Sequence, residues 1–332
     1  MKKNIGKIKI NWAMNMDKIY DYFKGKKGDE ISVITHTDMD GIMAGSLVAL
    51  YCDTKNVFMA DYGKAGELGF DYHEVPIKDK HVIFTDYSFS NISNLMIILH
   101  EKPKSISIFD HHMNTLDLVR SKKIEVVKNK AAEMGIDLFY DVDINRCGTK
   151  IVFDVITRFS DVFKATARLV DLVDLYDRWK FKDNLDPVYL NDYLYGSTQA
   201  YVMSPVVEAM ITNTSEVELD KWLSIGKQYR ELKEQMNKIT TSAFSFNTVF
   251  HGYNVLAIEA RGNSQLLGNA INEYPFIIVF HYDNRKKTFT YSLFKRESSD
   301  VDILSIAKEY GGGGHVCACG FVSDKRLVTP QK

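Results

Sequence analysis

Three short apolar runs in this chain each stop at side chains that cannot be buried alone. Val33-Ile34-Thr35 leads into His36-Thr37-Asp38-Met39-Asp40-Gly41, His81-Val82-Ile83-Phe84-Thr85 into Asp86, and Ser105-Ile106-Ser107-Ile108-Phe109 into Asp110-His111-His112. Runs this short, apolar and rich in β-branched residues read as buried strands. A buried unpaired carboxylate is too costly for a core, so acids at the end of such strands mark a sheet edge. In an open α/β sheet the carboxyl edge is where ligands bind. One Asp-rich turn alone could be a cap on the following helix, with Asp38 and Asp40 accepting from its first amides. Three runs ending alike are better explained by one cluster at one edge. His36, Asp38 and Asp40 offer the nitrogen and oxygen donors of a divalent-metal site.

The elements between these runs fit that reading. Ile42 to Tyr51 is small and apolar enough for a buried helix, and Met14 to Phe23 has helical spacing. Asn56 to Tyr62 and Ile124 to Val127 read as further strands. Residues 147–158 read as an amphipathic helix. Strands alternating with helices argue for βαβ units and a mostly parallel sheet. Ala165 to Tyr176 reads as a helix, with Asp171, Asp174 and Asp177 at a spacing of three, roughly along one face. Lys180 to Ser215, broken by Asp186-Pro187 and Ser204-Pro205, is polar and turn-rich and reads as a connection. Glu216 to Thr241 reads as one long charged amphipathic helix bridging two domains. Tyr253 to Ile258, Phe276 to Tyr282 and Phe289 to Phe294 are the strands of a second, smaller α/β domain, with Asp302 to Tyr310 a helix. The expected architecture is thus an α/β chain: a parallel-sheet, metal-binding domain over 1–185, a connecting region and linker helix over 186–242, and a smaller α/β substrate-binding domain over 243–332.

Gly311-Gly312-Gly313-Gly314-His315 stands out in that last domain. Four glycines suit neither helix nor strand interior, and a flexible linker would mix serine with them. A backbone cradle for phosphate, with His315 as a donor, is the expected role. Cys317 and Cys319 beside it read as small packing residues. The four cysteines have neither disulfide-framework nor zinc spacing, which suits a reducing, cytoplasmic setting. A net charge of −1 over 332 residues argues against coating long duplex DNA through bulk electrostatics. No apolar run approaches the ~20 residues of a membrane span.

The motifs together resemble those of the DHH phosphoesterase superfamily, which includes RecJ-type exonucleases, nano-RNases, cyclic-dinucleotide phosphodiesterases and family II pyrophosphatases. The run 36–41 resembles its first motif, Asp86 its second, Asp110-His111-His112 its third, and Gly311–His315 the signature of the DHH-associated substrate domain. These markers span about residues 31 to 320. The resemblance implies His36, Asp38 and Asp86 around one ion and Asp40, Asp86, His111 and either Asp177 or Asp174 around another, with Asp86 bridging. Tyr176-Asp177-Arg178-Trp179 resembles the nano-RNase branch, which favours Asp177. In pyrophosphatase-like members the histidine lies four residues before the first aspartate, where this chain has Ile34. His36 instead occupies the place of an acid in RecJ-like members. Asp110 takes a supporting hydrogen bond, and His112 faces the substrate as general acid or charge-stabilising donor. Arg261, Asn263 and Ser264 resemble a substrate-facing nano-RNase segment. Relatives often show Ser-Leu-Arg-Ser where Ser292-Leu293-Phe294-Lys295 stands here, so Lys295 or Arg296 would supply the charge.

Hydrolysing a phosphate ester near neutrality needs an activated water and neutralised phosphoryl charge. Two divalent metals about 3.5–4 Å apart supply both. The function implied is a phosphodiesterase using two Mn²⁺, with Mg²⁺ or Co²⁺ as substitutes, that degrades short single-stranded oligonucleotides to mononucleotides. A second reading is a phosphatase or phosphodiesterase of small nucleotides, such as a bisphosphorylated adenosine or a cyclic dinucleotide. A pyrophosphatase is disfavoured by the Gly311–His315 run. A catalytically dead nucleotide sensor is disfavoured because every matched metal position carries a competent ligand. A long-strand exonuclease would need further nucleic-acid-binding domains. The expected form is a monomer or homodimer without membrane association.

Overall fold

The computed structural model describes residues 28–61, 68–89, 91–261, 266, 273–296, 298–314 and 316–331. The helix expected over Met14–Phe23 lies outside them, as do Asn263, Ser264 and His315. The chain divides into two compact units, Met1–Tyr229 and Arg230–Lys332.

In the first unit β1 (Ile31–His36), β2 (Val57–Ala60), β3 (His81–Thr85), β4 (Ser105–Asp110) and β5 (Asp137–Val142) form a sheet in the order β2-β1-β3-β4-β5. All four pairings are parallel. Every residue of β1, β3 and β4 is buried, because helices cover both faces and leave the strands no wet side. Period-two alternation divides the side chains between two cores. Ile31, Val33, Ile83 and Phe109 join one face, packed by α1 (Met39–Cys52), α5 (Gly148–Thr157) and α6 (Ala167–Asp177). Ile34, Val82, Phe84, Ile106 and Ile108 join the other, packed by α2 (Ile92–His100) and α4 (Lys123–Glu133), while α3 (Met113–Arg120) precedes α4 in the chain.

Two sequence expectations change here. Ile124 to Val127 is not a strand but the start of α4. Ile124, Val127 and Ala131 are its buried residues, at helical spacing, and the intervening Lys and Glu are good helix formers. The adjacent valines disguised that period. The strand on this side is β5, after Gly135. Likewise Lys180 to Ser215 is not a bare connection. It holds α7 (Asp186–Gly196) and α8 (Pro205–Thr212), and Leu190, Leu194, Val207, Met210 and Ile211 belong to the core of the first unit. Pro187 and Pro205 suggested breaks, but each stands in a helix's first turn, where its missing N–H costs nothing.

The long helix α9 (Glu216–Phe244) carries the division between units, which falls after Tyr229. The second unit has a six-stranded sheet in the order β10-β11-β9-β8-β7-β6. Its strands are β6 (Ser245–Phe250), β7 (Tyr253–Glu259), β8 (Ile277–Asp283), β9 (Thr288–Phe294), β10 (Gly313–Gly314) and β11 (Ala318–Ser323), with α10 (Ile303–Glu309) before β10. Only β7 and β8 run parallel. The glycine run, expected to lie outside regular structure, supplies the short edge strand β10. Its glycines are needed for packing: a Cβ on Gly312 would meet Gly320 O at 2.1 Å, and one on Gly314 would meet Ala318 O at 2.7 Å. Gly313 alone of these three faces nothing within 4 Å. Among the described residues no helix is long and apolar enough to cross a membrane.

Candidate metal centre

The carboxyl ends of β1, β3 and β4 bring together the residues singled out above. His36 is the last residue of β1, Asp86 follows β3 directly, and Asp110 closes β4 with His111 and His112 behind it. Asp86 has a left-handed backbone, φ +51, a conformation that Asp adopts more readily than most residues. Its amide donates to Phe109 O at 2.8 Å, continuing the ladder to the neighbouring strand.

Ligand-type atoms converge in three overlapping groups: His36, Asp38 and Asp86; Asp40, His111 and Asp177; and Asp86, His111 and His112, each with its donor atoms within 4.8 Å of one another. His36 Nδ1 lies 3.1 Å from Asp38 Oδ2 and 3.9 Å from Asp86 Oδ2. His111 Nε2 lies 3.2 Å from Asp86 Oδ1, 3.3 Å from Asp177 Oδ2 and 3.7 Å from Asp40 Oδ2. Asp86 belongs to two of the groups and touches both halves of the cluster. Asp174 belongs to none. It accepts instead from Cys147 N at 2.7 Å and pairs with Arg178 Nη1 at 3.2 Å.

Asp38 takes the capping role weighed from sequence and also stands in the cluster. Its Oδ1 caps α1 by accepting from Gly41 N at 3.0 Å, while Oδ2 meets His36. Asp40 does not cap its own helix. Its two oxygens accept from the first amides of α5, Gly148 N at 2.6 Å and Thr149 N at 2.7 Å, and its backbone carbonyl accepts from Thr149 Oγ1 at 2.8 Å. The positive end of α5 thus holds a cluster carboxylate in place. Gly148 makes this approach possible, since a Cβ there would lie 2.8 Å from Asp86 Cβ and 3.1 Å from Asp40 Oδ2. The sequence carried a weak signal for this partnership, a small residue at a helix start in Cys147-Gly148-Thr149, but nothing that tied it to Asp40.

Electrostatically the cluster is crowded. Burial, then Asp40, Asp38, Asp177 and Asp110, push the Asp86 carboxyl far above its usual range. Burial followed by Asp40 and Asp38 lifts Asp177 to about 8. Asp38 goes the other way: burial opposes it, but His36 and the Gly41 amide outweigh that and hold it at about 2. The two histidines of β4 separate. Burial lowers His111, whereas the short Asp110 bond to His112 Nδ1, 2.7 Å, overrides burial and raises His112. Asp110 also accepts from His111 N at 2.8 Å. Asp86 Oδ2 and Asp177 Oδ2 are buried without a hydrogen bond. Carboxylates packed this closely, with lone pairs left unsatisfied, fit a cation: it would neutralise the repulsion and take up those oxygens. A mixed carboxylate and imidazole set suits a hard divalent ion such as Mn²⁺.

The substrate residues expected in the second unit are more scattered. Arg261 and Arg296 are exposed. Lys295 is buried, and its Nζ donates to Ser299 O at 2.7 Å. Cys319 is buried in the core of its unit, where its thiol donates to Ile303 O.

No family model and no curated protein matches the chain. Solved structures do match its fold, a DHH domain among them. The DHH domain of a member of the s1p family of ribosomal proteins is similar at a TM-score of 0.56 and 11% identity, over 94% of this chain and 87% of that one. A pGpG-specific phosphodiesterase, PggH, from Vibrio cholerae is similar at 0.50 and 16% identity, over 90% of this chain and 93% of that one. The exonuclease RecJ bound to manganese is similar at 0.50 and 14% identity, over 94% and 89%.

Proposed function

We propose that this chain is a phosphodiesterase that uses two divalent metal ions, with Mn²⁺ the preferred species, to cut short oligonucleotides into mononucleotides. The observation that carries the proposal is the cluster around Asp86, where two buried carboxylate oxygens lack hydrogen bonds inside three overlapping sets of metal-type donors. His36, Asp38 and Asp86 would hold one ion, and Asp40, Asp86, His111 and Asp177 the other. Ions bound there supply an activated water and neutralise the phosphoryl oxygens. Likeness to a pGpG-specific phosphodiesterase and to a manganese-bound exonuclease supports a nucleotide phosphodiester as the substrate.

The chain's own residues prepare the site. The first amides of α5 keep Asp40 oriented. Burial keeps His111 neutral, as a ligand must be. Asp110 fixes His112 by its Nδ1 and favours the protonated ring. The proton His112 moves is then the one at Nε2, given to the oxygen that leaves phosphorus. Pairing one neutral and one protonated imidazole follows the general division of acid and ligand roles by environment. A second reading, a phosphatase or phosphodiesterase of small nucleotides, rests on the same cluster. The test incubates the chain with Mn²⁺ and labelled substrates: a dinucleotide, a five-nucleotide and a much longer single strand, a cyclic dinucleotide and a bisphosphorylated adenosine. Fastest release of mononucleotides from the dinucleotide supports the first reading, and fastest turnover of one of the last two supports the second. Turnover of none of them with any divalent ion overturns both.

A further inference from the structure

Helix α6 leaves the metal cluster through a residue that its fold does not want. Asp177, a cluster member, is the last residue of the helix, Arg178 caps it, and Trp179 follows with φ +55. Trp179 N donates to Tyr176 O at 3.0 Å, and Lys180 N donates to Leu175 O at 2.8 Å. This pair of bonds is the usual left-handed exit from a helix, and glycine is the usual residue at that position because a Cβ is strained there. Tryptophan is among the least suited side chains. Burial could offset the strain, but Trp179 is 71% exposed, against 6% for Trp222 in the core. Neither backbone nor packing accounts for an indole at this point.

Its surroundings do. The Trp179 ring lies 5.8 Å from that of Phe181, tilted by 33°, and Phe181 stacks on Tyr176 at 5.6 Å and 14°. Tyr195 reaches the cluster from α7, its hydroxyl donating to the carbonyl of Thr37, between His36 and Asp38. Aromatic rings thus back an exposed indole next to a metal cluster. Asp177 and Trp179 are two residues apart, a span of at most about 7 Å, which is the scale of one nucleotide.

We infer that Trp179 is the base-binding residue of this site: its exposed indole face stacks on a nucleobase of the substrate whose phosphate is held at the cluster, with Phe181 and Tyr176 behind it. The inference rests on the phosphodiesterase reading above. Stacking takes any base, because every base has a π face, so Trp179 would grip short oligonucleotides without choosing their sequence. Strain at an exposed ring is then a cost to folding that serves binding.

The test compares wild type with Trp179→Gly and Trp179→Phe on a dinucleotide and on the same dinucleotide with both bases absent. Replacing a stacking aromatic removes about 1–3 kcal/mol per base, so KM for the dinucleotide is expected to rise roughly 5- to 150-fold in Trp179→Gly and far less in Trp179→Phe. KM for the baseless analogue should be the same in all three. Trp179→Gly should also melt at a higher temperature than wild type, because glycine relieves the backbone. A merely structural tryptophan gives the opposite sign, with a lower melting temperature and equal losses on both substrates. Either that result or an unchanged dinucleotide KM overturns the inference. If wild type hydrolyses neither substrate, the phosphodiesterase reading has failed by itself. Binding of the dinucleotide, followed by quenching of indole fluorescence, then decides on Trp179: loss of the quench in Trp179→Phe supports stacking, and its persistence overturns it.

Discussion

Gly148→Ala places one methyl group at the point where α5 meets the metal cluster. The new carbon would sit 2.8 Å from Asp86 Cβ, 3.1 Å from Asp40 Oδ2 and 3.2 Å from Asp86 Cα. Carbon atoms rest at about 3.5–4.0 Å, so α5 and the Asp86 turn must part by roughly 0.7 Å or more. Two of the three atoms met belong to Asp86 at or next to its backbone, so no flexible side-chain end can give way. Overpacking of this kind costs about 1–3 kcal/mol. Alanine is otherwise the better helix former by up to ~1 kcal/mol, and Gly148 needs no left-handed backbone, so the contact alone decides the sign. The parting also loosens the Gly148 and Thr149 amides from Asp40. Loss of such support around a metal ligand typically weakens metal affinity by about 10- to 100-fold. Calorimetric Mn²⁺ titration should register that loss, and thermal melting in chelator should fall by a few degrees. Gly313→Ala, where nothing lies within 4 Å, is the control and should alter neither. Wild-type Mn²⁺ affinity and melting temperature in Gly148→Ala would refute the reasoning.

Asp177→Asn should lose one of two bound Mn²⁺, measured as metal content after gel filtration. Asp174→Asn should keep both, at a stability cost of about 1–2 kcal/mol for its weakened hold on Cys147 N and Arg178. In metal-free protein the raised Asp177 carboxyl makes stability depend on pH. Its contribution is complete below the ordinary value of 3.8 and is lost as pH rises towards about 8. Melting temperature in chelator should therefore fall over that window, and Asp177→Asn should flatten the fall. In the second unit Gly312→Ala should lower the melting temperature because its Cβ meets Gly320 O and Phe321 Cβ, while Gly313→Ala should not.

Much of the first unit could be read from the chain because its signals are local. A buried parallel strand is a continuous apolar run, and the polar residue that ends it marks the edge where the cluster gathers, as at His36, Asp86 and Asp110. What could not be read depends on partners distant in sequence. Asp40 could be weighed from sequence only as a metal ligand or a cap for its own helix, yet its carboxylate is held by α5, more than a hundred residues on. Asp174 and Asp177 have the same local pattern, and only the packing of α6 puts Asp177 against His111 and Asp174 against Cys147 N. Pro187 and Pro205 misled because proline is equally at home before a helix and inside its first turn. The glycine run stood out as a phosphate cradle, and for Gly312 and Gly314 the structure gives a reason for glycine in the sheet itself, close packing against β11.

The central claim is that one carboxylate, Asp86, organises two metal sites. The most direct measurement is the number of Mn²⁺ ions bound per chain, by titration calorimetry with elemental analysis, in wild type and in Asp86→Asn. The account predicts two ions in wild type and loss of both sites, with loss of dinucleotide hydrolysis, in the variant. An Asp86→Asn chain that still binds two ions, or a wild type that hydrolyses the dinucleotide fully in chelator, would contradict it.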